Sequence, residues 1–467
     1  MAVSGAVNSS CFVLLLFLQF GLQLADARSL VKSLPGYRGP LPFKLETGYI
    51  GVGEADEVQL FYYFVESQGN PKEDPLMLWL TGGPGCSAFS GLVFEIGPLK
   101  FKVAEYNGSL PTLVLNTHSW TQVSNIIFVD MPVGTGFSYA KTFAASQTSD
   151  LQQVSQADQF LRKWLIDHPQ FLSNPAYIGG DSYSGIFIPA IAQQISNGSE
   201  EGIIPFINLK GILAGNPLTD SSFDRNSKIP FAHGMGLISD ELYEVLKSDC
   251  RGEYRNVDPS NTECIKHVQT YDELVSGINP GHILEAHCTF ASPRPIEPLA
   301  KRTSQSRELL ELEEEDLPKI GCRTYSYLLC KYWMNNNIVF KALRVRKGPV
   351  KTWKRCNYGL PYTKNVKSSI KYHEYLAKKG YRSLIYSGDH DLVIPFIGTQ
   401  AWIRSLNYSL VDDWRPWYVE GQVGGYTRTY ANGLTFATLK GGGHTAPEYK
   451  PAEAFAMYKR WMTEKPL

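Results

Sequence analysis

The chain has 467 residues, 43% hydrophobic and 19% charged, a globular rather than a disordered composition. That length allows one large domain or two ordinary ones. Lys+Arg and Asp+Glu are 45 each, for a formal net charge of zero, which argues against nucleic acid or an anionic membrane surface as the main partner.

Residues 1–27 read as a signal peptide. Cys11 to Leu24 is mostly apolar, and Ala25-Asp26-Ala27 supplies a small-x-small cleavage pattern before Arg28. The apolar core is too short to span a bilayer comfortably, so a retained anchor is the lesser alternative, and no membrane contact is expected after cleavage. Entry to the secretory pathway puts the cysteines in an oxidising compartment. Cys11 leaves with the signal and seven remain, so three bridges and one free thiol are expected, with the connectivity open. N-x-[ST] sequons at Asn107, Asn197 and Asn407 suit glycosylation on surface loops.

From about Ser33 to Asn216, strand-like runs alternate with helical ones. Met77-Leu78-Trp79-Leu80 and Ile126-Ile127-Phe128-Val129 predict short buried strands. Asp150 to His168 predicts a helix, with Val154, Ala157, Phe160, Leu161, Trp164 and Leu165 on one face. Such alternation predicts an α/β fold, a mostly parallel central sheet with helices on both faces. From about Asp220 to Lys319 the pattern changes to short helical pieces, three cysteines and an acidic run, Glu308 to Asp316. This reads as an insertion over the core, with an exposed polar loop at Lys301 to Ser306. Strand signals return at Ser383 to Tyr386 and Leu434 to Leu439.

Four motifs carry chemistry. Gly180-Asp181-Ser182-Tyr183-Ser184-Gly185 lies between a strand-like run, Ala176-Tyr177-Ile178, and a helix-capable one, Ile186 to Ile195. This is the context of a nucleophile elbow, with the Ser182 hydroxyl exposed at a helix N-terminus. Ser184 stands where the pattern usually has Gly. Tyr386-Ser387-Gly388-Asp389-His390-Asp391 places acids at a strand end, and Lys440-Gly441-Gly442-Gly443-His444 places a histidine after another strand. The order Ser, Asp, His is that of α/β-hydrolases, in which the histidine takes the serine proton and a carboxylate holds its tautomer. Leu80-Thr81-Gly82-Gly83-Pro84-Gly85 supplies a loop for an oxyanion hole, with the Gly83 and Tyr183 amides as candidates, since Pro84 has no N–H. Singly, each motif is more often a turn, a cap or a structural histidine; the conjunction points to hydrolase-type chemistry. Gly134-Thr135-Gly136 lacks the continuation of a dinucleotide loop, and His282, His287 and Cys288 lack recognisable metal-ligand spacing, so neither cofactor nor metal is expected.

Across nearly the whole mature chain these motifs resemble the serine carboxypeptidase family. The runs that carry the resemblance are Leu78 to Ser87, Val129 to Tyr139, the Ser182 run, Gly388 to Asp391, and Gly443-His444. It implies an α/β-hydrolase fold with a helical lid at about 220–320 and Asp391, not Asp389, as the catalytic acid. It also implies bridges Cys86–Cys356, Cys250–Cys264 and Cys288–Cys322, leaving Cys330 free. A two-chain form is implied too, by loss of a linker near Lys301.

The departures from the family pattern bear on function. The peptidases typically have Glu before the nucleophile and Asn before the paired glycines, which bind the substrate's free carboxylate together with a glutamate that Glu95 matches. This chain has Asp181 and Thr81 there, beside Gly82, and Met131 where the family often has Gln. The form Gly-Asp-Ser-Tyr-Ser-Gly resembles the plant acyltransferase branch. The resemblance therefore implies transfer of an acyl group, phenolic in that branch, from a 1-O-glucose ester to an alcohol in the vacuole. The alternatives are a carboxypeptidase, an extracellular location, or a non-enzymatic binding protein, which would need a broken triad.

Overall fold

Apolar runs with no polar face can only become strands covered on both sides, and the computed structural model, which describes residues 28–288 and 318–467, shows that arrangement. One sheet contains β1 (Arg28–Val31), β2 (Leu45–Val52), β3 (Val58–Val65), β4 (Leu76–Leu80), β5 (Asn125–Val129), β6 (Ala176–Asp181), β7 (Leu209–Gly215), β8 (Arg382–Gly388), β9 (Leu410–Val419), β10 (Gln422–Tyr430) and β11 (Leu434–Leu439). Their order is β1-β2-β3-β5-β4-β6-β7-β8-β11-β10-β9. The centre, β5-β4-β6-β7-β8-β11, is parallel, and antiparallel ribbons close both edges.

Side chains alternate across each strand and so feed two cores. Phe61 and Tyr63 of β3, Met77 and Trp79 of β4, and Ile126 and Phe128 of β5 enter one. Tyr62, Phe64, Leu78, Leu80, Ile127 and Val129 enter the other. The second core is roofed by α1 (Asp150–Asp167) and α2 (Ile188–Glu200). Ser149 caps α1 by accepting the Gln152 N–H at 3.3 Å, and the buried face of α1 is the stripe visible in the sequence. The helix after Ser182 starts at Ile188, not at Ile186, because a tight turn over Ser182–Ile186 comes first.

Between β7 and β8 lie α3 (Ser221–Asn226), α4 (Lys228–Gly234), α5 (Asp240–Cys250) and α6 (Thr262–Val275), with a small core of their own around Ile229, Leu246 and Tyr271. The chain returns through α7 (Tyr325–Met334), which packs into the first core with Trp333 stacked on Phe89 at 5.4 Å. Then come α8 (Ile370–Lys378), α9 (Phe396–Ser405) and, at the C-terminal end, α10 (Pro451–Met462). Residues 1–27, and the stretch holding Lys301 and the run Glu308 to Asp316, lie outside the described residues.

Disulfides join Cys86 to Cys356, Cys250 to Cys264 and Cys288 to Cys322, and Cys330 is free and buried. Cys288 is therefore spent, and His282 stacks on His390 and makes a 3.2 Å hydrogen bond with the Gly441 carbonyl. Asn107 and Asn407 are exposed and non-helical. Asn197 is exposed but sits in α2 instead of a loop, its Oδ1 accepting the Tyr375 hydroxyl at 2.8 Å.

Trp164 of α1 is fully buried, edge-on to Phe64 at 4.8 Å and stacked on His168 at 3.9 Å. Trp164→Ala should cost about 3–5 kcal/mol, read as a lower denaturant midpoint.

Candidate active site

β6 ends at Asp181, and the next residue turns with φ +58°, the left-handed region that side chains with a Cβ avoid. That residue is Ser182. The turn is forced by its neighbours. A Cβ on Gly185 would lie 2.5 Å from Pro217 Cβ and 2.6 Å from the Leu218 carbonyl oxygen. Ser184 fits where the usual pattern has Gly, because its buried hydroxyl donates to the Asp181 carbonyl at 2.7 Å. Ser182 itself is only 5% exposed, more sheltered than an elbow at a free helix N-terminus suggests.

The ends of β8 and β11 bring the other two groups. The Ser182 hydroxyl donates to His444 Nε2 at 2.8 Å, and His444 Nδ1–H donates to Asp391 Oδ2 at 2.8 Å. Asp391 is fully buried and also accepts from Asn216 Nδ2 (2.8 Å), Val393 N (2.7 Å) and Ile394 N (3.2 Å). Asp389 is used differently, accepting the Gly441 N–H at 2.7 Å and meeting His390 Nδ1 at 2.6 Å. Burial opposes a charge on His444, but the facing Asp391 carboxylate outweighs it and holds the imidazole pKa above the usual histidine value.

The glycine loop after β4 meets Ser182 from the other side. A Cβ on Gly82 would stand 2.6 Å from Ser182 Cβ and 2.9 Å from the Tyr183 nitrogen, so only glycine allows this approach. Gly83 follows, with φ +119°. The loop is pinned by Asp130 at the end of β5. One carboxylate oxygen accepts from Ser87 Oγ (2.6 Å) and Ala88 N (2.9 Å), the other from Phe137 N (2.9 Å). Cys86–Cys356 ties on the segment that carries Arg355, whose carbonyl accepts the Ser87 N–H at 2.7 Å.

Thr81, Gly82, Glu95 and Asp181 line one recess beside Ser182, joined by Arg355 and Glu448. Asp181 Oδ1 accepts the Gly82 N–H at 3.3 Å, and burial raises its pKa to about 6. Burial, then the Asp181 and Glu448 charges, push Glu95 well above the usual carboxylate range. Glu448 is raised by burial, although Arg323, Tyr327 and Thr445 oppose this. Thr81 Oγ1 and Glu95 Oε2 are buried without a hydrogen-bond partner among the described residues. Met131 faces the second core instead of the recess.

Sequence reasoning missed Glu448, Asn216 and Arg355. Glu448 had a signal: it lies four residues after His444, in a helical turn (Ala446–Tyr449) that brings it back to the site. Asn216 and Arg355 had none, since only the tertiary fold brings β7 and the Cys356 segment here.

A mostly parallel sheet with this constellation at its strand ends defines an α/β-hydrolase. The fold is shared with the prohormone-processing carboxypeptidase Kex1 of Saccharomyces cerevisiae, at a TM-score of 0.73 and 20% identity over 94% of this chain and 96% of that one. Residues 35–464 match the family model "Serine carboxypeptidase", and the chain belongs to that family. Two Arabidopsis thaliana proteins are close relatives: serine carboxypeptidase-like 1, 54% identical over 99% of this chain and 98% of that one, and serine carboxypeptidase-like 17, 51% identical over 99% and 100%. Family and disulfides together make it a protein of the secretory pathway.

Buried acids also set the pH dependence of stability. Burial raises Asp130 and Asp181 to about 6 and Asp224 to about 7, and Glu95 and Glu448 move the same way. An acid with a raised folded pKa stabilises the fold below its unfolded pKa, and that stability is lost as pH rises through the folded value. Raising the pH from about 4 to about 7 should therefore lower the thermal midpoint by a few degrees. Calorimetry showing a midpoint that rises over this window would contradict the assignment.

Proposed function

We propose that the chain transfers an acyl group from a 1-O-glucose ester to an alcohol through an acyl-enzyme on Ser182. Ser182 attacks the ester carbonyl while His444 takes its proton, and the Gly83 and Tyr183 amides meet the developing oxyanion. His444, steadied by Asp391, protonates the departing glucose and then deprotonates the acceptor hydroxyl. The observation that carries this reading is the acid-rich recess. Asp181, one methylene shorter than Glu, rests on the Gly82 N–H, and Glu95 and Glu448 crowd the same space. A free peptide carboxylate entering there meets three carboxyl groups against the single cation Arg355. Sugar and alcohol hydroxyls can donate to those groups and to Thr81 Oγ1.

Transfer must also outrun water at about 55 M, which a held acceptor does because effective molarities reach about 10⁵–10⁸ M. The helices α3–α6 are the proposed lid that keeps the acyl-enzyme dry. Retention of paired acids, Glu95 beside Asp181, keeps a carboxypeptidase as the second reading. We further propose vacuolar residence, where mild acidity suits these buried acids, and glycans on Asn107, Asn197 and Asn407.

Purified protein incubated with a phenolic glucose ester plus candidate alcohols, and separately with a blocked dipeptide, separates the readings by mass spectrometry. Ester transfer is expected, and efficient release of a C-terminal amino acid without transfer would refute it. Ser182→Ala should lower turnover by about 10⁵–10⁶-fold, and retained turnover would place the nucleophile elsewhere. Asp181→Glu should raise peptide hydrolysis relative to transfer, and an unmoved ratio would remove Asp181 as the discriminator.

A further inference from the structure

A second cavity, of about 500 Å³, is lined by Tyr183, the residue after Ser182, and shares no lining residue with the acid recess. It abuts the site directly. Tyr183 follows the nucleophile, the Leu218 N–H donates to the Ser182 carbonyl at 2.9 Å, and the Val393 and Ile394 amides bond Asp391. Near the site its walls are therefore aromatic and aliphatic. Arg225, Lys228, Lys364 and Lys367 also line it, together with Asp220 and Asp224.

Among the described residues none of these four cations has an acidic partner within ion-pair distance. The acids nearby are already engaged. Asp150 accepts the Tyr183 and Tyr362 hydroxyls (2.8 and 2.7 Å) and the Asn365 and Val366 amides (2.6 and 2.8 Å). It thereby locks the Lys364 loop against Tyr183, with Lys364 Nζ 5.3 Å from the ring. Asp220 Oδ1 caps α3 through the Ser222 and Phe223 amides. Asp224 Oδ2 accepts the Thr219 and Asp220 amides, while its Oδ1 is buried without a partner. Burial and the neighbouring Arg255 and Arg225 bring the Lys228 pKa down to about 8, although Asp391 and Asp272 oppose this. Lys228 is thus charged in mild acid at an electrostatic cost that an anion would relieve.

We propose that this cavity is the acyl pocket and that Arg225, Lys228 and Lys364 hold an anionic oxygen group at the far end of an aryl acyl chain. The assignment rests on the acyl-enzyme reading above. An ester carbonyl held between Ser182 and the oxyanion amides has its alcohol side in the acid recess and its acyl side here. The ring lies along Tyr183 and Leu218, and its carboxylate reaches the cations.

The test uses para-nitrophenyl esters of para-carboxybenzoate, trihydroxybenzoate and the neutral para-methylbenzoate. Nitrophenolate release in the first turnover reports acylation of Ser182 alone, so it is indifferent to whether water or an alcohol later takes the acyl group. No burst with any ester would defeat the acyl-enzyme reading itself. Given a burst, the intact protein should acylate faster with an anionic ester than with the methyl ester by about tenfold or more. Preference for the carboxy ester identifies a carboxylate, and preference for the trihydroxy ester in mild acid, where its phenols are neutral, would identify hydroxyl recognition and overturn the anion assignment. Lys228→Gln and Lys364→Gln should each shrink that ratio severalfold. A ratio near one in the intact protein, or losses in both variants that fall equally on charged and neutral esters, would overturn the proposal.

Discussion

Everything at the site depends on one backbone constraint, the left-handed turn at Ser182. A non-glycine residue in that region costs about 1–3 kcal/mol and persists only where its surroundings over-determine it. Here the surroundings are the parallel pairing of β6 with β4 and β7, a glycine loop with no room for a methyl group, and the Leu218 amide on the Ser182 carbonyl. The same turn aims the hydroxyl at His444 and, on the proposed reading, the next amide toward the oxyanion. Relaxing it would undo both at once, so the strain and the chemistry are one feature.

The turn also divides the site by charge. On one side Glu95, Asp181 and Glu448 are buried together, and on the other Arg225, Lys228 and Lys364 share a cavity. Net charge for the whole chain is zero, yet acids predominate in the recess and bases in the cavity beside Tyr183. Local fields of this kind act most strongly where burial limits screening. The proposed ester, with a hydroxyl-rich alcohol half and an acyl half ending in an oxygen anion, would match that distribution.

Much of the fold was legible because burial on both faces leaves a plain mark. Met77 to Leu80 and Ile126 to Val129 read as strands for that reason, and the apolar stripe of α1 showed its buried face. The β9–β10 hairpin was not legible. It is a half-exposed edge, and Asp412, Asp413, Arg415 and Pro416 interrupt its alternation. At the site, glycine spacing and strand ends revealed Ser182 and His444. Spacing alone did not separate Asp389 from Asp391, two residues apart. Their roles diverge through the local Val393 and Ile394 amides and through Asn216, a contact that exists only once β7 lies beside β8. The cationic cavity is equally nonlocal, since Arg225 and Lys364 stand on different segments.

The bridges have a topological consequence. Cys288–Cys322 brackets every residue between 289 and 321, and Cys86–Cys356 encloses that whole interval again. A single cut anywhere between Cys288 and Cys322 would therefore separate no part of the molecule. Ser182 would stay doubly bonded, across the nick, to the piece that holds Asp391 and His444. Covalent continuity and chain continuity are thus decoupled in this protein, and across that interval the two halves of the site are joined by sulfur as well as by the peptide chain.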